Sequence, residues 1–158
     1  MAENRGKQFE TVIKDAFRKV PGVSIDRFHD QMSGFAGSRN VSDFVVYKEP
    51  YEVYVECKTT RGNNFRFSNI TDGQWSGLLE KSKIKGVFAG ILCWWIDYDT
   101  TLFIPIQMLY DLKNEGLKSI RYDLFTYPPY KVLKIKGEKK RVFFDYDLSD
   151  FVEEVAKL

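Results

Sequence analysis

Two acidic residues and a lysine lie where a predicted β-hairpin would bring them together. The stretch YEVYVECKTTRG, residues 51–62, alternates like a strand, which places Glu56 and Lys58 on one face with Cα atoms about 7 Å apart. Asp43 opens the preceding predicted strand, and the start of one antiparallel strand lies beside the end of its neighbour. We therefore expect Asp43, Glu56 and Lys58 to converge at one edge of a sheet.

Carboxylates that converge in this way can share a hard divalent cation. Mg²⁺ prefers a few carboxylate oxygens together with water, and a backbone carbonyl such as that of Cys57 could complete its ligands. A lysine beside the ion can hold or deprotonate an attacking water. Such an arrangement suits phosphodiester hydrolysis, in which negative charge accumulates on the phosphate oxygens.

The same E-x-K spacing occurs a second time, at Glu138 and Lys140. There it lies in a charged predicted turn, with no strand-borne aspartate ahead of it. The spacing alone therefore leaves two interpretations open for Glu56 and Lys58, a catalytic pair or a plain ion pair at the end of a strand.

The composition indicates one folded domain covering residues 1–158. A chain of 158 residues, 44% of them hydrophobic, is long enough for a core and short for two typical domains. No apolar run is long enough to span a bilayer, and the N-terminus lacks the apolar centre of a secretion signal. We therefore expect a cytoplasmic protein with no membrane partner.

The cysteines, the histidine and the net charge favour no other chemistry. Cys57 and Cys93 lack zinc-site spacing and are expected to be buried thiols, and we interpret the single histidine, His29, as structural. A net charge of +2 does not by itself argue for nucleic acid, so charge alone favours solvated lysine-rich helix faces.

The predicted elements follow the order of an α/β fold with a mixed central sheet flanked by helices. A helix over residues 4–20 places Glu10 at the edge of its buried face. Thr71 and Gln74 have the spacing of a capping box at the start of a second helix. A polar loop is expected at residues 59–67, and a hairpin turning at Gly137 in the C-terminal third. The remaining predicted strands cover residues 23–28, 42–48, 86–96 and 100–106, and the remaining helices cover residues 106–116 and 149–158.

The order of the predicted elements and motifs resembles that of the PD-(D/E)XK nuclease superfamily. The chain has a helix, a strand, SDF and ECK on a hairpin, and then a second helix. Asp43, Glu56 and Lys58 match the D, E and K of that motif. The opening NRGKQFE is similar to the start of Holliday junction resolvases, both the bacterial RecU family and the archaeal Hjc type. In those families a glutamate of the first helix joins the active site, and Glu10 is the match. The GSRN before Asp43 also resembles the family's segment there, so the resemblance covers about residues 4–105.

This resemblance implies a restriction-endonuclease-like fold and a homodimeric, Mg²⁺-dependent endonuclease that resolves four-way DNA junctions in recombination and repair, with Mn²⁺ as a substitute ion. Asp43, Glu56, the Cys57 carbonyl and Glu10, directly or through water, would hold the ion. Lys58 would position the attacking water or stabilise the transition state. Gln74 resembles a glutamine that often lies near the site, and equally fits a helix cap. The candidates for phosphate contacts lie in flanking loops and termini: Arg5, Lys7, Ser38, Arg39, Thr59, Thr60 and Arg61.

The sequence departs from the family pattern in two places. Ser42 stands where the family has a proline, and the segment ahead of Asp43 is short beside the long stalk insertion of RecU proteins, so a compact, phage-type resolvase fits better. Two alternatives remain: a restriction- or repair-type DNA nuclease of the same fold, or a catalytically silent DNA-binding module. The intact set of charged residues argues against the second, because burying charges without pairing is costly.

Overall fold

The computed structural model describes residues 4–28 and 40–158; His29, Ser38 and Arg39 lie outside the described residues. Its helices are α1 (Arg5–Arg18), α2 (Asp72–Ser82), α3 (Ile106–Asn114) and α4 (Phe151–Ala156). Its strands are β1 (Ser24–Arg27), β2 (Phe44–Lys48), β3 (Tyr51–Thr60), β4 (Asn64–Arg66), β5 (Val87–Trp95), β6 (Thr100–Pro105), β7 (Ser119–Arg121), β8 (Leu133–Lys134), β9 (Lys136–Lys139) and β10 (Phe144–Asp147).

Six strands form one mixed sheet in the order β1-β2-β3-β5-β6-β8. The central pair, β3 and β5, is parallel and is connected through α2, whereas the other neighbouring strands are antiparallel. Helices cover both faces of this sheet, so the predicted α/β class with a mixed central sheet is confirmed.

Both faces of the central strands are buried, which explains their apolar sequences. Leu92 and Trp94 of β5 pack into a core with α1 and α4, whereas Ile91 and Cys93 pack into a second core with α2 and α3. A strand that is covered on both faces carries a nearly continuous apolar run instead of strict alternation. The predicted buried thiols are confirmed, since Cys57 and Cys93 are both buried and free.

The face of β3 that carries the charged residues can be read from its pairing with β5. Glu56 lies opposite Ile91 and Lys58 opposite Cys93 in the parallel ladder. Partners in a ladder project to the same side of a sheet, so both charged side chains face the α2–α3 side. The β3 side chains on the opposite face of the sheet, which include Val53, lie in the core beneath α1 and α4.

The first helix is held against the sheet by large aromatic contacts. Phe9, Ile13 and Phe17 of α1 are fully buried, as the helical spacing predicted. The ring centroid of Phe9 lies 5.8 Å from that of Trp94 and 6.2 Å from that of Tyr146. This packing fixes the position of Glu10, the residue that follows Phe9.

Two sequence predictions about loops were wrong. Residues 59–67 do not form a simple polar loop, because β3 continues to Thr60 and β4 pairs with β7. Gly137 is not a turn residue either, since it lies in β9 opposite Tyr146, and β9 and β10 are joined by residues 140–143. A Cβ at Gly137 would lie 3.1 Å from Cδ1 of Tyr146, so the glycine allows a close approach instead of a turn. No helix among the described residues is long and apolar enough to cross a membrane.

Candidate active site

The β2–β3 hairpin brings Asp43 and Glu56 side by side. Phe44 is paired with Val55, so the residue before β2 lies across from Glu56. The Cys57 N–H donates a 2.8 Å hydrogen bond to Oδ2 of Asp43. On the other side, the Phe28 N–H donates a 2.9 Å hydrogen bond to the Asp43 carbonyl, which ties the end of β1 to the same point. The predicted convergence of Asp43 and Glu56 follows from this register.

Lys58 completes a charged group, which we call the carboxylate site: Asp43, Glu56 and Lys58. Glu56 is buried, whereas Asp43 and Lys58 are half-buried. Nζ of Lys58 lies 3.1 Å from Oε2 of Glu56, and the two side chains are only 19% and 6% exposed. The second E-x-K pair forms a similar contact of 3.4 Å, but its side chains are 57% exposed at Lys140 and 78% at Glu138. Burial therefore separates two pairs that the sequence spacing could not distinguish.

Burial gives the two carboxyl groups unusual protonation behaviour. Desolvation, reinforced by the nearby Asp43 charge, raises the pKa of Glu56 from 4.5 to about 8, although Lys58 opposes the shift. Desolvation also raises the pKa of Asp43, against the lowering effects of the Cys57 N–H and the Lys58 charge. The site therefore holds two carboxylates against one lysine, and ionising both leaves excess negative charge in a dry setting.

Glu10 reaches the neighbourhood of this site from α1 and is paired with Arg27. Oε2 of Glu10 lies 3.2 Å from Nη2 of Arg27, and the Glu10 charge contributes to the raised pKa of Glu56. The sequence reasoning did not assign Arg27 to the site. A signal was present, because Arg27 ends β1 opposite Phe44, the residue after Asp43, and adjacent antiparallel strands place such residues side by side.

The donors at the carboxylate site fit a hard divalent cation. Asp43 and Glu56 supply carboxylate oxygens, and their excess negative charge is the kind that a cation offsets. The Cys57 N–H points at Asp43, and the N–H and C=O of one strand residue point to the same side, so the Cys57 carbonyl faces this edge. Within residues 4–28 and 40–158, no three Asp, Glu, His or Cys side chains form a metal cluster. The remaining ligands would be the Cys57 carbonyl and water, and the role of Glu10 as a ligand, directly or through water, stays a prediction.

Gln74 is placed by the structure in a helix cap. Its backbone N–H donates to the Thr71 hydroxyl over 3.2 Å, and its side-chain Oε1 accepts from the Thr71 N–H over 3.1 Å. The predicted capping box at the start of α2 is therefore confirmed. A catalytic role for Gln74 stays a prediction.

The candidate phosphate contacts occupy varied positions around the end of β3 and the start of α1. The guanidinium of Arg5 lies 5.4 Å from the ring centroid of Phe143, and Lys7 is exposed. The Thr60 hydroxyl donates to the Asn64 carbonyl over 2.9 Å. Nη1 of Arg61 lies 3.3 Å from Oδ1 of Asp97, both side chains being about half exposed. Thr59 is half-buried beside Thr60, and Ser38 and Arg39 lie outside the described residues. Their phosphate contacts stay predictions.

The fold resembles that of a solved Holliday junction resolvase. The 1.6 Å structure of Hjc from Archaeoglobus fulgidus, an archaeal hyperthermophile, aligns with a TM-score of 0.53 and 19% sequence identity, covering 78% of this chain and 92% of that one. No family model matches the chain, and no curated protein matches it in sequence. At this identity the likeness shows the fold, so the chain has the restriction-endonuclease-like fold that its motifs predicted.

Proposed function

We propose that this chain is a Mg²⁺-dependent, structure-selective endonuclease that resolves four-way DNA junctions by symmetric phosphodiester hydrolysis as a cytoplasmic homodimer. Mn²⁺ would substitute for Mg²⁺. The compact, phage-type form of such an enzyme fits the short segment between β1 and β2. The resemblance of the fold to that of a junction resolvase supports the substrate class.

The observation that carries this proposal is the carboxylate site on a sheet of this fold, with Glu56 buried and Asp43 and Lys58 half-buried. Asp43 and Glu56 meet across the β2–β3 hairpin, and Lys58 contacts Glu56 with little exposure to solvent. A protein that only needed stability would gain little from such a group, because desolvating several charges costs more than one ion pair returns. Strongly perturbed carboxyl groups in such a setting are typical of catalysis.

The chemistry assigns a distinct role to each group. Asp43, Glu56 and the Cys57 carbonyl would hold the ion, which when bound supplies a Lewis acid that offsets charge on the scissile phosphate. The Lys58 ammonium would hold the attacking water in line, or donate hydrogen bonds to the transition-state oxygens. The water oxygen then bonds to phosphorus and releases a proton to solvent, the ester P–O bond breaks, and the leaving oxygen takes up a proton from solvent. The Arg27–Glu10 pair would keep a further carboxylate oriented beside this centre.

The homodimer follows from the proposed product. Symmetric resolution cuts two strands, and each chain carries one carboxylate site, so two copies must act on one junction. Aromatic residues are enriched at protein interfaces, and exposed tyrosines such as Tyr98 and Tyr127 would suit one.

The test is a cleavage assay with labelled four-way junction, linear duplex of the same sequence and single-stranded DNA, each with Mg²⁺ or with EDTA. Asp43→Asn and Lys58→Ala should abolish cleavage while junction binding survives. Glu138→Gln and Lys140→Ala are matched controls, because they alter the exposed pair with the same spacing, and both should cut normally.

The outcomes separate the alternatives. Equal cutting of linear duplex would reject junction selectivity and favour a restriction- or repair-type nuclease of the same fold. Junction binding without cleavage by the unmodified protein would favour a silent DNA-binding module. Cleavage that persists in Asp43→Asn would reject the metal-site assignment.

A further inference from the structure

A cavity of about 750 Å³ opens on the same side of the sheet as the carboxylate side chains. It lies between the first turn of α2, the end of α3 and the small β4–β7 sheet, and none of the roles assigned above involves it. Arg66 of β4, Lys113 of α3 and Lys118 before β7 lie around it. This cavity is called the basic cavity below.

The basic cavity has an excess of positive charge that the protein does not neutralise. Its lining includes three cations and one acid, Asp72. Ion pairs among residues 4–28 and 40–158 involve other cations, such as Arg61 with Asp97, and none of them includes the three cations of the cavity. Three unpaired cations around one concave surface attract an anion.

The floor of the basic cavity is aromatic. Phe67 and Trp75 lie edge to face with ring centroids 5.7 Å apart, and they are only 4% and 6% exposed. Nζ of Lys113 lies 4.7 Å from the ring centroid of Trp75, which orients this cation at the cavity. Cations beside aromatic rings are complementary to a nucleic-acid strand. Its phosphates are anionic and would contact the cations, and its planar bases would contact the aromatic rings.

The basic cavity is within reach of a DNA strand whose scissile phosphate is held at the carboxylate site. Both lie on the α2–α3 side of the sheet, and β3 leads through residues 61–63 directly into β4. Arg66 lies eight positions after Lys58 in the chain, which limits the distance between their Cα atoms to about 28 Å. That distance corresponds to at most about eight nucleotides of one strand at 3.4 Å each.

We infer that the basic cavity binds the phosphodiester backbone of a DNA arm that leads away from the cleavage site. This inference rests on the proposed function and extends it, because it adds a strand contact outside the motif residues. The cavity would contribute affinity and orientation, not sequence selectivity, since phosphate contacts carry no base information.

The test compares Arg66→Gln/Lys118→Gln with the control Arg18→Gln/Lys136→Gln. All four residues are exposed, each double variant removes two positive charges, and the control pair lies on α1 and β9, against the other core. Fluorescence anisotropy with a labelled four-way junction in EDTA measures binding over a range of salt concentrations. In the cavity variant the slope of log K against log salt should fall by about 2, with a loss of affinity of roughly tenfold or more at moderate salt. The control should keep the original slope.

Binding in EDTA is independent of cleavage, so the two proposals fail separately. If the unmodified protein cuts junctions but both double variants keep its slope, the cavity inference is overturned and the nuclease stands. If the unmodified protein binds but never cuts, a reduced slope still supports the cavity. Failure of the unmodified protein to bind any DNA would overturn both. A free nucleoside monophosphate bound through Arg66 and Lys118, with the DNA slope unchanged, would assign the cavity to a small ligand and reject the strand.

Discussion

Replacing Glu56 by glutamine should remove most of the pH dependence of the protein's stability in the absence of metal. In the folded protein burial raises the pKa of Glu56 to about 8, whereas the ordinary value is 4.5. Between these two pH values the folded state keeps a proton that the unfolded chain has lost. The contribution of protonated Glu56 to the free energy of unfolding is therefore fully present below pH 4.5, and it is lost progressively as the pH rises to about 8.

The size of this effect follows from the difference between the two pKa values. A rise in the pKa from 4.5 to about 8 changes the free energy of unfolding by on the order of 5 kcal/mol across this pH range. That is a large share of the stability of a domain. Asp43 and Glu56 interact, so the measured titration belongs to the pair and not to one residue. In Glu56→Gln the neutral amide replaces the protonated acid, and this loss should disappear.

The assay is urea unfolding followed by circular dichroism in EDTA, between pH 5 and pH 8.5. The range stops there because burial raises the pKa of the Cys57 and Cys93 thiols, which adds a further loss at higher pH. Glu138→Gln is the control, since its side chain is 78% exposed and should leave the curve unchanged. Equal pH dependence in Glu56→Gln and the unmodified protein would refute the buried, protonated state of this residue.

Three further predictions concern the ion, the sheet and the arginine at the end of β1. At pH 8, Mg²⁺ should raise the melting temperature of the unmodified protein but not of Asp43→Asn; equal shifts would place the ion elsewhere. Gly90→Ala should destabilise by about 1–3 kcal/mol in urea unfolding, because a Cβ would lie 2.4 Å from the Ile104 carbonyl oxygen. Gly73→Ala, with open space around it, should be neutral or stabilising by up to about 1 kcal/mol; similar losses in both would refute the clash. Arg27→Gln should shift the pH profile of cleavage to higher pH, because the Arg27 charge lowers the pKa of Asp43. Arg27→Lys keeps this charge and should return the profile to that of the unmodified protein.

The local patterns of the chain were sufficient for the main elements. The alternation of β3 placed Glu56 and Lys58 on one face, and the apolar spacing of α1 placed Glu10 at the edge of its buried side. The capping box at Thr71 was equally readable. These features depend on residues a few positions apart, so periodicity and cap chemistry determine them.

The C-terminal third could not be predicted as well, because its geometry depends on distant partners. Gly137 has the sequence context of a turn, yet it lies in β9 across the hairpin from Tyr146, whose ring approaches it closely. The pairing of β4 with β7 joins segments that are more than fifty residues apart, such as Phe65 and Ile120. No local pattern specifies such a contact.

The sequence by itself determined that a carboxylate and a lysine would share a strand face beside Asp43. Only the tertiary structure decided which of the two E-x-K pairs is buried, because burial depends on the helices and strands packed around β3. It also added Arg27 beside Glu10 and gathered three cations around the basic cavity from β4, α3 and the segment before β7. Charges far apart in sequence interact through space, so their partners and their pKa values become visible only after the chain has folded.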